Sequence, residues 1–463
     1  MAGDNIEIPT NAELQSSSTT KEDGLVLCLS GGGFRATLFH LGALRRLNEL
    51  GVLAKVQVIT SVSGGSILNG ILATRWRQLS HERNGMLGGF NEAIANTTRA
   101  FCKKDIRTQL LFGTRMNPGN WPVLAHDFLS VRANFLAAAY ETLYEDQWLS
   151  GVPAPQPGTV PRFVFCATSV QTGACWHFHA GPQGRMGDFY TGYMKTSRTR
   201  VAQAVAASSA FPPGFGALRL PISFPETFNR DDPWGETRPI AVKRDDLSLK
   251  AKRSILLTDG GVYDNLGVEP VWSRFTTLLI SDAGRPFSSE ARCSQAAIPR
   301  LSRAAGISME QVGGVRKRWF IERVKQGKMK GTMWAINTPI EDFQLPTAQG
   351  YNHNSRALIG AVRTDLNSFT EGEMSFLENH GYSLADAAMR SYGVSLCPLP
   401  NAPFQFPHPD FSKDSVCERF LAESSRRKPL RDLCQYLLDR GKEDWVQPTQ
   451  RLLFWLRKKN HQD

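Results

Sequence analysis

No pair of cysteines in this chain has the spacing of a metal knuckle or a redox dithiol. Its eight cysteines lie scattered at 28, 102, 166, 175, 293, 397, 417 and 434, with no Cys-x-x-Cys and no Cys/His cluster. That argues against a zinc site and fits reduced thiols in a reducing compartment. Cys28 sits inside the apolar run Leu25–Leu29, where a thiol packs as a small hydrophobe. A run of ~18 apolar residues is also missing, so no spanning helix is expected and membrane contact would be peripheral. The first 22 residues are polar, with a Ser/Thr run at Ser16–Thr20, and lack the cationic start and apolar stretch of a secretory leader. Residues 1–23 therefore read as a disordered tail, and the location as cytoplasmic. There is no internal repeat. None of the nine histidines stands in a pattern that marks it as a catalytic base.

What is abundant is positive charge. Fifty-four Lys and Arg against 43 Asp and Glu give a formal net charge of +11. Part of the excess is local, around Lys243–Arg253 and again from Arg316 to Lys330. A basic surface attracts anionic headgroups or nucleic acid, and a charge run can equally be a plain solvated face.

After residue 23 the pattern becomes alternating. Leu25–Leu29 is fully apolar, as in a strand buried on both faces. Ser30 and three glycines follow, and then Leu38, Leu41, Leu44 and Leu47 recur at helical spacing up to Gly51. Val56–Thr60 is a second strand, with a Ser/Gly turn and a helix over 66–79 behind it. Two strand–glycine turn–helix units in succession predict a mostly parallel sheet covered by helices. Residues 85–150 read as a helical insertion. Strands return at 162–169, 175–179, 254–258 and 276–281, and a helix at 198–207. Residues 219–252, rich in Pro and charge, read as a long surface loop. From 290 to 330 the chain reads as a basic helix, followed by a strand near 332–336. Helices are expected over 354–368, 371–391, 414–425, 429–440 and 449–459. The domain reading is a catalytic unit over 24–290 and a mainly helical extension over 291–463, packed on it or completing it.

Three turns carry chemistry. Gly31-Gly32-Gly33, between strand and helix, aims consecutive N–H groups outward at a helix N-terminus, a nest suited to a phosphate or an oxyanion, or else simply a tight turn. Ser61-Val62-Ser63-Gly64-Gly65 resembles a nucleophile elbow, which holds a serine on a strained strand-to-helix turn with small neighbours. Ser63 could also be a mere N-cap. The rival hydroxyls of Ser61 and Ser66 lack a glycine two positions later. Asp259-Gly260-Gly261 ends an apolar strand, and read alone it is an ordinary turn. A shared sheet would gather all three turns at one edge.

Taken in order, Leu29–Ala36, the Ser63 elbow, Ala207–Pro212 and Asp259–Asn265 resemble the blocks of patatin-like phospholipases, over about residues 24–285. The resemblance implies a three-layer α/β/α fold. It implies a lipid acyl hydrolase of phospholipase A or lysophospholipase type, with Ser63 as nucleophile and Asp259 as its partner in a dyad. Gly31, Gly32 and Gly33 match the oxyanion loop. Arg35 stands at the family's basic position, either bracing the loop or touching a headgroup. Ala36 and Ser61 depart from the pattern, each standing where glycine is usual. The resemblance implies no histidine base, no metal and no cofactor. Phospholipid or another lipid ester is the expected substrate, an anionic membrane surface a candidate contact, and nucleic acid none. A lone aspartate is a weak base unless apolar burial raises its pKa. His40 reads as a packed helix residue and Asp282 as structural. The aromatic, basic stretch Arg451–Lys459 would lie on a bilayer or dock on the core. Two other readings remain: an esterase or thioesterase for soluble esters, and a basic protein that binds phosphates or nucleic acid without catalysis.

Overall fold

In the computed structural model, residues 21–108, 128–212, 215–221, 233–234, 254–285 and 296–424 are described. The tail before residue 21, most of the 219–252 loop, the helices expected at 429–440 and 449–459 and the Arg451–Lys459 stretch lie outside them.

Among the described residues, ten strands form one sheet. They are β1 (Glu22–Leu29), β2 (Val58–Val62), β3 (Arg162–Ser169), β4 (Cys175–His179), β5 (Arg185–Asp188), β6 (Gly192–Lys195), β7 (Leu218–Pro221), β8 (Ser254–Asp259), β9 (Phe275–Asp282) and β10 (Lys330–Ala335). The parallel core runs β10-β9-β1-β2-β3. An antiparallel meander, β4-β5-β6, extends it beyond β3. β5 and β6 were not expected, because they are only four residues each and carry little alternation. Leu218–Pro221 pairs with β8 as a strand, which corrects the start of the expected 219–252 loop.

Alternation along β1 shows why this sheet is covered on both faces. Leu25, Leu27 and Leu29 join one apolar cluster, whereas Val26 and Cys28 join the other. On the first face lie α1 (Gly33–Glu49), α2 (Gly64–Arg75), α3 (Phe128–Glu141) and α4 (Val201–Ser208). The second face is covered by the C-terminal part of α5 (Ala297–Lys325), through Phe320 and Val324. Three layers result.

Much of the described chain from 316 to 424 is built into this body. β10 is the edge strand of the parallel core, and α7 (Glu371–Tyr392), which follows α6 (His353–Ala361), packs along α1. The backbones of α1 and α7 approach so closely that a Cβ at Gly42 would strike the Glu378 carbonyl, and one at Gly381 the Phe39 carbonyl. A buried ion pair, Arg46 to Asp386 at 2.6 Å, ties the same two helices.

Candidate active site

The parallel core brings the ends of β1 and β2 to one edge, with the Gly31–Gly33 loop after the first and Ser63 after the second. Ser63 has φ 49° and ψ −117°, backbone that a non-glycine residue adopts only under constraint. The constraint is visible on both sides of the turn. Behind it, a Cβ at Gly64 would run into the Gly33 carbonyl oxygen, and one at Gly65 would meet Leu29 O at 2.5 Å. Ahead of it, the Ser63 N–H donates to Ser208 Oγ at 2.9 Å, and Ser208 Oγ donates to Cys166 O at 2.6 Å. Ser66 Oγ lies 2.9 Å from both Ser208 Oγ and Ser61 Oγ. Asn69 Nδ2 donates to Ser61 Oγ, also at 2.9 Å. The serine that departs from the elbow pattern thus belongs to a buried hydroxyl network beneath the turn. Ser61 and Ser66 are both buried and engaged.

Asp259 reaches Ser63 by a route the strand pattern did not suggest. β8 is antiparallel to β3, with Asp259 opposite Ala167, while β2 pairs with β3 up to Val62 opposite Cys166. β4 occupies the other side of β3 at these positions. β2 and β8 therefore share one side of β3 and meet head-on, each ending at the junction. The expected gathering of parallel strand ends holds for the Gly31–Gly33 loop and Ser63, and Asp259 arrives from the opposite direction.

At that junction Asp259 is 1% exposed, whereas Ser63 is half-buried. Asp259 Oδ1 accepts the Gly261 N–H at 2.7 Å. No well-formed hydrogen bond ends on Oδ2. Burial pushes the carboxyl up to about 7, although the Gly261 N–H and the neighbouring Ser63 hydroxyl pull it down. The strand end is held by the Ala207–Pro212 block: Asp259 N donates to Ala210 O at 3.1 Å and Gly260 N to Ser208 O at 3.2 Å.

Across from the elbow, the Gly31 N–H is committed to Asn265 O at 3.1 Å. Among the described residues no acceptor takes the N–H groups of Gly32 or Gly33. Arg35 is fully buried, donating to Gly360 O, Val362 O and Ala283 O at 3.3, 3.0 and 2.9 Å. It braces the loop from behind, out of reach of solvent. The Phe34 N–H donates to Asp365 O at 3.0 Å, and that segment lies directly against Gly33. Residues 360–365, far beyond the blocks that the sequence picked out, thus form the back wall of the glycine loop.

His40 Nδ1 lies 2.7 Å from Ser281 Oγ and Nε2 2.9 Å from Ser30 O, and burial lowers its pKa to about 4. It is a packed, neutral histidine. Asp282 is buried, which alone would raise its pKa, but Lys317 at 2.6 Å holds it below the usual carboxylate range. Two further groups escaped the sequence reading. Tyr140 of α3 is fully buried beside Ser209, and neither hydroxyl makes a well-formed hydrogen bond. Burial raises the Tyr140 pKa, and the Asp259 charge adds to that rise. A tyrosine within a helical insertion carries no local mark of this role. Among the described residues no group of His, Cys, Asp and Glu is arranged to hold a metal, and no helix is long and apolar enough to cross a membrane.

A strained serine, a buried carboxylate and two glycine amides without an acceptor among the described residues thus share one edge of the sheet. The sequence profile for patatin-like phospholipases matches residues 27–272. This chain belongs to the patatin-like phospholipase family. Among solved structures, human GIVD cytosolic phospholipase A2 is similar over 82% of this chain and 60% of its own, with 14% identity and a TM-score of 0.45. The same human protein in complex with methyl gamma-linolenyl fluorophosphonate gives 15% identity, coverage of 82% and 59%, and a TM-score of 0.44. VipD from Legionella pneumophila is 16% identical over 81% of this chain and 68% of its own, with a TM-score of 0.34. The chain spans about 60% of the length of the human enzyme. No curated protein matches it.

Proposed function

We propose that this protein is a serine lipid acyl hydrolase of phospholipase A or lysophospholipase type, acting through a Ser63–Asp259 dyad. The observation that carries this reading is the Asp259 carboxyl, buried against the hydroxyl of an elbow serine and poised near pH 7. A general base works best when its pKa lies near the working pH, and desolvation has moved an ordinary weak base there.

The steps follow from the geometry. Asp259 takes the Ser63 proton as Oγ bonds to the carbonyl carbon of an ester. The carbonyl π electrons move to oxygen, and the resulting oxyanion faces the Gly32 and Gly33 N–H groups. Each such donor is typically worth about 2.7–4 kcal/mol. Collapse breaks the bond to the alcohol, which leaves with the proton from Asp259. A water then gives a proton to Asp259 as its oxygen bonds to the acyl carbon, and collapse breaks the bond to Ser63 Oγ, which takes that proton back from Asp259 as the fatty acid leaves. Tyr140, beside Ser209, lies near enough for the Asp259 charge to act on it.

Family membership favours lipid esters over soluble ones. Product mass spectrometry on phospholipid vesicles tests the reading, with Ser63→Ala as control and fluorophosphonate labelling at Ser63 alongside. Fatty acid release by the parent alone supports it. Turnover confined to short soluble esters would favour the esterase reading, and absence of both labelling and turnover would end the catalytic one.

A further inference from the structure

α5 is much longer than the strand face it covers. Lys317 pairs with Asp282 at the C-terminal end of β9, and Arg316 donates to Tyr263 O at 2.9 Å and Glu269 at 2.8 Å. Phe320 and Val324 then descend along the sheet toward the start of β10. The part of α5 N-terminal to residue 316 therefore runs past the sheet edge that carries Ser63. At 1.5 Å per residue, positions 297–315 span about 28 Å. Of the side chains described from Arg300 to Val315, none is buried. A Cβ added at Gly306 or Gly313 would meet only open space.

This overhang is apolar along one line. Leu301, Ala305, Val312 and Val315 recur at i, i+4, i+11 and i+14, a single helical stripe. Leu301 is 73% exposed, Val315 56% and Val312 40%. Large apolar side chains are seldom left bare in a row without a partner. Arg300 adjoins Leu301 at the tip of the stripe, long enough to keep its charge at headgroup level while its stem is buried. On the body of the protein, Phe211 and Val262 are 46% and 37% exposed. They adjoin Ala210 and Gly261, which hold the Asp259 strand end.

We propose that residues 297–315 form a membrane-docking arm. Its apolar stripe enters the headgroup–acyl boundary of a phospholipid bilayer, and with Phe211 and Val262 it sets the Ser63 edge against the lipid. The chain's charge of +11 fits a surface containing anionic lipid. Delivery of lipid to Ser63 rests on the hydrolase reading, whereas docking itself does not require turnover.

The test is flotation of the full chain, in a Ser63→Ala background, with phosphatidylcholine vesicles with and without phosphatidylserine. The variant L301D/V312D/V315D should bind about tenfold or more weakly, and the milder Leu301→Gln should weaken binding in the same direction. In Ser63-intact protein both variants should hydrolyse a short soluble ester at the parent rate, which also certifies the fold. Unchanged flotation of the triple variant overturns the arm. So does a parent dimer that the triple variant converts to monomer while vesicle binding is retained, because a second copy would then be what the stripe meets. Loss of flotation in proteins that never cleave an ester would sink the hydrolase reading and leave the docking surface standing.

Discussion

The elbow at Ser63 and the overhang of α5 are both rich in glycine, and the two sets have opposite meanings. At Gly64 and Gly65 backbone lies against backbone, so no side chain fits. At Gly306 and Gly313 nothing lies near, and glycine only weakens a helix in solvent. One region stores strain in a packed wall and presents chemistry. The other leaves its described side chains unburied and presents surface.

The sharpest way to break this contrast is at the reacting atoms. Ser63→Ala should lower ester turnover by about 10⁴-fold or more with the melting temperature held, read from initial rates and a thermal melt. Parent-like turnover would remove the serine from the chemistry. Asp259→Asn should be nearly as damaging. In the parent, turnover should rise as pH increases through about 7, because only the deprotonated carboxylate accepts the serine proton. That limb should vanish from the residual activity of the Asn variant.

The same substitution should change stability. A carboxyl whose folded pKa is raised above its unfolded value favours folding most below the unfolded value, and that advantage is lost as pH rises through about 7. Asp259→Asn should therefore raise the unfolding free energy by about 1–4 kcal/mol at pH above about 7, and much less in acid. Denaturant melts at two pH values check the sign.

Smaller effects follow from packing. Gly64→Ala should cost about 1–3 kcal/mol and reduce turnover, since the elbow must shift off Gly33. Ser208→Ala leaves the Ser63 N–H without its acceptor and should cost about 1–3 kcal/mol. Gly313→Ala on the overhang should do the reverse, stabilising by up to about 1 kcal/mol with turnover of a soluble ester unchanged. Equal and same-signed effects at Gly64 and Gly313 would erase the distinction between the two regions.

Much of this site was legible locally. Apolar strands followed at once by Gly31–Gly33 and by Ser63-Gly64-Gly65 announce strained strand-to-helix turns, because only certain residues tolerate them. The meander strands β5 and β6 were missed because four residues between turns hold too little period to read. The head-on meeting of β2 and β8 was missed for a different reason. Strand direction is set by which neighbour a strand pairs with, and Asp259 is 196 positions from Ser63.

The sequence by itself therefore determined the parts: a serine on an elbow, a glycine nest, an aspartate before two glycines, and the family they belong to. Only the tertiary structure decided that Asp259 loses its water and titrates near pH 7 and that Gly31 spends its amide on Asn265. It also decided that residues 360–365 wall the loop and that about two thirds of α5 runs out beyond the sheet. The reason is physical. Glycine and strand propensity act between neighbours along the chain, whereas desolvation, bracing and overhang depend on segments that come together only when the chain has folded.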